Sequence, residues 1–295
     1  MGYSARYHVA SLVAVFIALA IGILIGAALG SDVVSGTADT LEKDLAEDLE
    51  QLRAERLALE EELDFERGFS AQIAPAVVAN RLVGEEIALI GLGNVDTGAL
   101  TDDVEAALEP TLGTLTEVAR VREPPDADAL IEALLSEGQV SEADDPLELA
   151  ANRAGRRLAG RGPLGEIRST LLVSASGDPE GIDGAVIARV RPEELSGREE
   201  REVDALEEGL IRGLQEVGVE VVGVEREDTE PSSMEFFQGQ GLPTVDNVDT
   251  LPGRVALALA LDGAAGNFGV KETADSLLPQ LIGAPDDAAS NGAGG

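Results

Sequence analysis

Residues 86–92, Glu-Ile-Ala-Leu-Ile-Gly-Leu, decide the fold class. The run is short, apolar and unbroken, and it ends at Gly91-Leu92-Gly93, so it reads as a buried strand that stops in a turn. A strand covered on both faces shows no polar alternation, which is the pattern of a parallel sheet between helices. Downstream the pattern repeats. Thr114–Arg122 is an imperfect strand carrying Leu115, Val118 and Val121. Ser169–Ala175 (STLLVSA) is the clearest buried strand, followed by Gly184–Val190 (GAVIARV) and Gly218–Val224 (GVEVVGV). Between them the spacing turns helical at Thr101–Leu108, Asp126–Leu135, Pro146–Ala159 and Leu195–Val217. Asp102 and Asp103 fall in the first turn of the first of these helices, where carboxylates favour the helix dipole. The alternation predicts an α/β fold with a mostly parallel sheet, not the in-out pattern of a transmembrane β-barrel. Pro243–Asp249 is a polar turn, Pro252–Leu261 an Ala/Leu helix, and Asn267–Leu281 closes the domain. Pro285–Gly295 has the composition of a disordered tail.

Upstream, Ser70–Leu82 reads as a helix bent or started near Pro75, and Gly68 separates it from a charged helix over Ala38–Phe65. In heptads, Leu49, Arg56 and Leu63 take position a, while Ala38, Leu45, Leu52 and Leu59 take d. Leu at d with a polar residue at a suits a short parallel coiled coil, in which Arg56 fixes register at some cost in stability. The alternative is an amphipathic helix lying on the globular domain.

Before a short Ser/Gly/Thr joint (Ser31–Thr37) stands Val9–Ser31, a stretch without an ionisable side chain. As a helix it rises about 34 Å, enough for a hydrocarbon core of about 30 Å. Arg6 precedes it, and Asp32, Asp39, Glu42 and Asp44 follow. The positive-inside rule then keeps the N-terminus in the cytoplasm, and residues 32–295 lie on the extracytoplasmic side of the cytoplasmic membrane. A cleaved signal peptide is the competing reading, with Ala28-Leu29-Gly30 as its site, but signal peptides carry apolar regions of only about 7–15 residues. Gly22, Gly26 and Gly30 form two overlapping GxxxG units, the spacing that lets membrane helices pair closely. The expected organisation is therefore residues 1–31 as cytoplasmic N-terminus and anchor, 32–67 as joint and coiled coil, 68–283 as an exported α/β domain, and 284–295 as tail. Two seams facing the same way predict a parallel homo-oligomer, most simply a dimer.

Composition narrows the chemistry. The formal charge is −35, and of 21 basic residues only Lys43 and Lys271 are lysines. Such a surface repels nucleic acid and anionic lipid as partners. The absence of Cys removes disulfides and thiolate sites, and the lone His8 beside the anchor removes Ser-His or Cys-His catalysis from the exported part. An enzyme is not expected. Gly91-Leu92-Gly93 is part of a dinucleotide fingerprint, but position 96 is Asp where the third Gly belongs. Cu(I) prefers soft ligands, and the chain offers no Cys, one His and only Met1 and Met234. Hard cations have Asp246, Asn247 and Asp249 or the acidic loop Glu142–Asp145, neither at EF-hand spacing. Asp246 and Asp249 read more readily as turn and cap residues. No metal ligand or cofactor is assigned.

The anchor HVASLVAVFIALAIGILIGAALG (residues 8–30), the charged helix behind it and the run TVDNVDTLPGRVALALAL…GNFGVKETADSLLP resemble the actinobacterial MctB family, named for copper transport. The motif residues are Thr244, Val245, Asp246, Asn247, Asp249, Pro252 and Gly253. The resemblance implies an envelope protein of copper homeostasis or efflux, proposed as a channel component. It also implies an alternative, because members look like the SteB partner of SteA in cell separation. Copper enters through the resemblance alone.

Overall fold

The computed structural model describes residues 5–134, 145–165, 167–177 and 181–280, with side chains described from His8 onward except at 28–42 and 44. The chain divides between Gly68 and Phe69 into two units.

The first unit belongs to helix α1, Ala5–Val78. The expected joint at Ser31–Thr37 is helical, and Gly68 does not break the helix. A lone Gly costs about 1 kcal/mol against Ala in a helix interior, and here it sits among Leu, Glu, Arg and Ala, which are strong helix formers. Pro75 lies inside the last turn of α1 and does not open a new helix. Every described side chain of this unit is exposed.

In the second unit the strands β1 (Glu86–Gly93), β2 (Thr114–Val121), β3 (Leu172–Gly177), β4 (Gly184–Val190), β5 (Glu220–Val224), β6 (Thr244–Val245) and β7 (Asn267–Phe268) form one sheet in the order β3-β2-β1-β4-β5-β6-β7. All neighbours pair in parallel except β2 and β3. The apolar block of residues 86–92 is thus central, held between β2 and β4. Side chains of a strand alternate between faces. Ala88, Ile90 and Leu92 accordingly enter the core under α3 (Ala127–Leu134), α4 (Pro146–Leu158), α5 (Ile167–Leu171), α6 (Gly197–Glu216) and α7 (Met234–Gly239). Ile87 and Leu89 enter the core under α2 (Thr97–Leu108) and α8 (Leu251–Leu261).

Two expectations are corrected. Ser169–Ala175 is no buried central strand: Ser169–Leu171 end α5, and β3 is an antiparallel edge with Val173 47% exposed. Helix α2 starts four residues earlier than its spacing implied, capped by Asp96, whose carboxylate accepts from the Gly98 amide. Asp102 and Asp103 therefore leave the first turn, and Asp103 is buried. Glu142, Ala143, Asp144 and the tail from Pro285 lie outside the described residues.

Helices α4 and α6 meet backbone to backbone. A Cβ on Gly155 would collide with the Leu210 carbonyl, one on Gly209 would lie 2.5 Å from the Glu148 carbonyl oxygen, and one on Gly213 would collide with the Asn152 carbonyl. Glycine at these three positions sets the helix separation. A capping box, Ser196 with Glu199, starts α6.

Candidate functional site

The chain runs from β1 to β2 on one side and later reaches β4 on the other, so the topological switch lies between the carboxyl ends of β1 and β4. That crevice is where open α/β sheets bind ligands. Gly93 ends β1 with φ 71°. A Cβ there would collide with the Val190 carbonyl and lie 2.8 Å from Glu123 Oε2. The space beside the Gly turn is therefore taken by a carboxyl of the protein itself, and a phosphate placed there would meet an acid. At Gly91 a Cβ would lie 2.8 Å from Thr97 Cγ2. Both glycines of the partial fingerprint serve close packing.

Around Glu123 the carboxyl edge is dense with charge. On α6, Glu207 accepts from Arg189 Nε at 2.7 Å and Nη2 at 3.0 Å, a buried bidentate pair. The Arg189 guanidinium also lies 4.2 Å from the Phe236 ring centroid. Arg191 donates to Asp204 at 2.7 Å. Both Glu123 oxygens are buried and find no hydrogen-bond partner. Burial first, and then the nearby Glu207, push the Glu123 carboxyl up to about 8, against the pull of Arg189 and Arg191. Burial likewise raises Glu207, against its hydrogen bonds from Arg189. Glu123 thus holds a proton at neutral pH. Nothing in its sequence context, Arg-Val-Arg-Glu-Pro-Pro, marks it; its environment is assembled from β1, β4 and α6 in three dimensions.

On the opposite face of the same edge is a crevice of about 260 Å³, lined among others by Val95, Asp96, Leu100, Val190, Glu225 and Arg226. Its charges are paired. Buried Asp103 accepts from Arg226 at 2.6 Å and from Arg254 at 2.9 Å. Glu225 accepts from Ser232 Oγ, the Ser233 amide and Lys271 Nζ at 2.6–2.8 Å.

Beside this crevice the segment 244–253 forms a knot. Thr244 and Val245 are a buried strand, not a turn, and Thr244 Oγ1 donates to Asn267 Oδ1. The Asp246 carboxylate accepts from the amides of Val270 and Lys271 at 2.8 and 2.9 Å, and Gly269 leaves room for it. Asp249 accepts from the Glu227 amide. The cap of α8 is Thr250, whose hydroxyl accepts from Gly253 N, with Pro252 in the first turn. Gly253 packs against the Asn247 carbonyl, where a Cβ would collide. Asp246 and Asp249 therefore work as backbone acceptors that hold loops together. Among the described residues, no three His, Cys, Asp or Glu side chains converge as a metal site requires, and Met234 is sealed in the core.

In the first unit, His8–Ala27 is a helix long and apolar enough to cross a membrane. A Cβ on Gly22 or Gly26 would meet nothing within 4 Å; Gly30 lies outside the described side chains. Leu45, Leu49, Leu52, Leu59 and Leu63 are exposed, as is off-seam Leu57, and Arg56 pairs with Glu60 at 2.7 Å. The single chain does not set the seam apart from its neighbours.

No curated protein matches the sequence. The family described as "Copper transport outer membrane protein, MctB" matches residues 3–279. That span takes in the apolar helix, the rest of α1 and the sheet through the knot at 244–253, and the chain belongs to the MctB family.

Proposed function

We propose that this chain is a membrane-anchored envelope protein of copper transport or homeostasis, working as a parallel homo-oligomer with its α/β unit on the extracytoplasmic side. The observation that carries the copper reading is the family match over residues 3–279. The helix His8–Ala27 supports the anchor, and Arg6 before it with acids after it supports the orientation. One helix cannot line a pore, so a channel role requires several copies. Their association draws on the Gly22/Gly26/Gly30 row and on the leucines from Leu45 to Leu63.

The α/β unit contributes no soft ligand set, because the whole sequence holds no Cys, the one His8 and Met1 and Met234. Its part in copper handling is architectural, with copper carried as cargo elsewhere in the assembly. With no Cys and no His beyond His8, no Ser-His or Cys-His pair is available to it, and we read its role as non-enzymatic. The test is loss of the gene, followed by return of the parent chain or of Leu52→Glu/Leu59→Glu. Cellular copper and copper sensitivity rise on loss, and only the parent restores them. Unchanged copper handling contradicts the proposal.

A second reading is an oligomeric scaffold for cell separation with a SteA-like partner. It is favoured by the exposed leucines of α1 and the poverty in soft ligands. The same strains discriminate: chained cells with normal copper select the scaffold.

A further inference from the structure

The heptad of α1 does not stop at Leu63. Carried on through the same helix, it places Glu66 at d, Ser70 at a and Ile73 at d, so the leucine run fades. The flanking positions take over. Position g holds Asp48, Glu55, Glu62 and then Phe69, while position e holds Arg53, Glu60, Arg67 and then Ala74. In a parallel pair, g of one chain meets e of the next heptad on the partner, and these contacts set partner choice and orientation. Asp48 then meets the partner's Arg53, and Glu62 meets the partner's Arg67. Glu55 meets the partner's Glu60, whose charge its own Arg56 offsets at 2.7 Å. An antiparallel pair would turn the acidic g row against itself. The next contact in the parallel series is Phe69 against the partner's Ala74.

Both residues of that contact belong to the second unit, and the structure shows what each offers. Phe69 is 57% exposed, and Ile73, one turn on, is exposed as well. Ala74 borders a cleft of about 400 Å³ between the end of α1, the end of α2 and the start of α8. Ala74, Pro75, Val78, Ala106 and Val255 line it, short side chains that leave a hollow. Val78 and Val255 are buried and belong to one apolar cluster. Of the polar groups there, Arg254 is turned to Asp103 at 2.9 Å, and Glu109 is exposed. A hollow of this size and lining takes an apolar occupant.

We propose that Phe69 of one copy seats in the apolar cleft beside Ala74 of a second, parallel copy, extending the self-association surface onto the α/β unit. The inference rests on the parallel seam proposed above. Two-fold symmetry makes the contact twice, because each copy supplies one Phe69 and one cleft. Aromatic anchors held in pockets carry a large share of an interface's energy. The exposed Phe69 and the open cleft are thus two halves of one contact, brought into register by the heptad.

The sequence has no Trp, so Phe69→Trp in the full chain, held in micelles of uncharged detergent, reports its own burial. Its emission should be blue-shifted and shielded from iodide. Adding Leu52→Glu/Leu59→Glu, or Ala106→Glu in the cleft, should open it to iodide. Phe65→Trp, at position c of the same helix, should be open throughout. Phe69→Ala should weaken association about tenfold or more in sedimentation equilibrium. A reporter open to iodide while Leu59→Cys still cross-links overturns the cleft contact and leaves the seam standing. Loss of both the shielding and the Leu59→Cys cross-link removes the seam, and this contact with it. Shielding that persists in the Leu52→Glu/Leu59→Glu chain comes from its own chain or the micelle, and it too overturns the proposal.

Discussion

Gly22 and Gly26 in the first unit and Gly209 and Gly213 in the second share the small-xxx-small spacing, and the chain treats them differently. On α6, the missing side chains are replaced by the carbonyls of α4, with Gly155 answering from the other helix. On α1, the space above each glycine is empty. The leucines repeat the contrast: Leu206, Leu210 and Leu214 of α6 are buried, while Leu45 to Leu63 of α1 stay in the open. One spacing therefore has two meanings. Where another helix of the same chain is within reach, it sets a packing distance. Where none is, it leaves a face that a bilayer or a second copy must cover.

The sharpest way to break this comparison is to put bulk on both rows. Gly213→Leu drives a side chain into the Asn152 backbone and should cost about 3 kcal/mol or more, at the upper end of overpacking penalties. Thermal unfolding reads this directly, and Gly22→Leu in the full chain should leave the same transition in place. A parent-like transition for Gly213→Leu would mean that α4 and α6 are not in close contact.

Next in size is the loss of association. On the proposed seam a d-position Leu buried between two chains is worth about 1.5–3 kcal/mol, so Leu52→Glu/Leu59→Glu should convert the proposed oligomer to monomer in sedimentation equilibrium. Leu57→Glu should not. Equal effects of seam and off-seam charges would remove the heptad reading.

A third test sharpens the contrast from inside the packed unit, where both buried oxygens of Glu123 lack a hydrogen-bond partner. Its folded carboxyl sits at about 8, above its ordinary value of 4.5. Below 4.5 it is neutral in folded and unfolded chains alike. As pH rises the unfolded chain loses the proton first, so the stability tied to this group falls until pH passes about 8. Glu123→Gln should match the parent at pH 4.5 and exceed it by an amount on the order of 2–4 kcal/mol near pH 8. A constant difference across that range would mean that the carboxyl is solvated or paired.

What could be read from residues alone follows the same division. The strands at 86–92 and 184–190 were legible because burial on both faces leaves an unbroken apolar run. Ser169–Ala175 looked like the strongest strand for the same reason, but composition does not tell an edge from a centre, and its first residues end α5. The joint at 31–37 and the break at Gly68 followed from local propensity, which a long helix overrides. At the knot, Asp246 resembled a turn residue, since its acceptor role depends on amides 24 and 25 positions away. Glu123 and the α4–α6 glycines gave no local signal, because what gives them meaning is contributed by distant segments.

The central claim is that the exposed leucines of α1 face a second copy in parallel and in register. The absence of native cysteine makes this directly measurable. A single Leu59→Cys in the full chain places two thiols across the proposed seam at the close approach a disulfide needs, whereas Leu57→Cys points away. Mild oxidation should link Leu59→Cys rapidly into covalent dimers and leave Leu57→Cys largely monomeric. Equal cross-linking of the two, or none in either, would contradict the account.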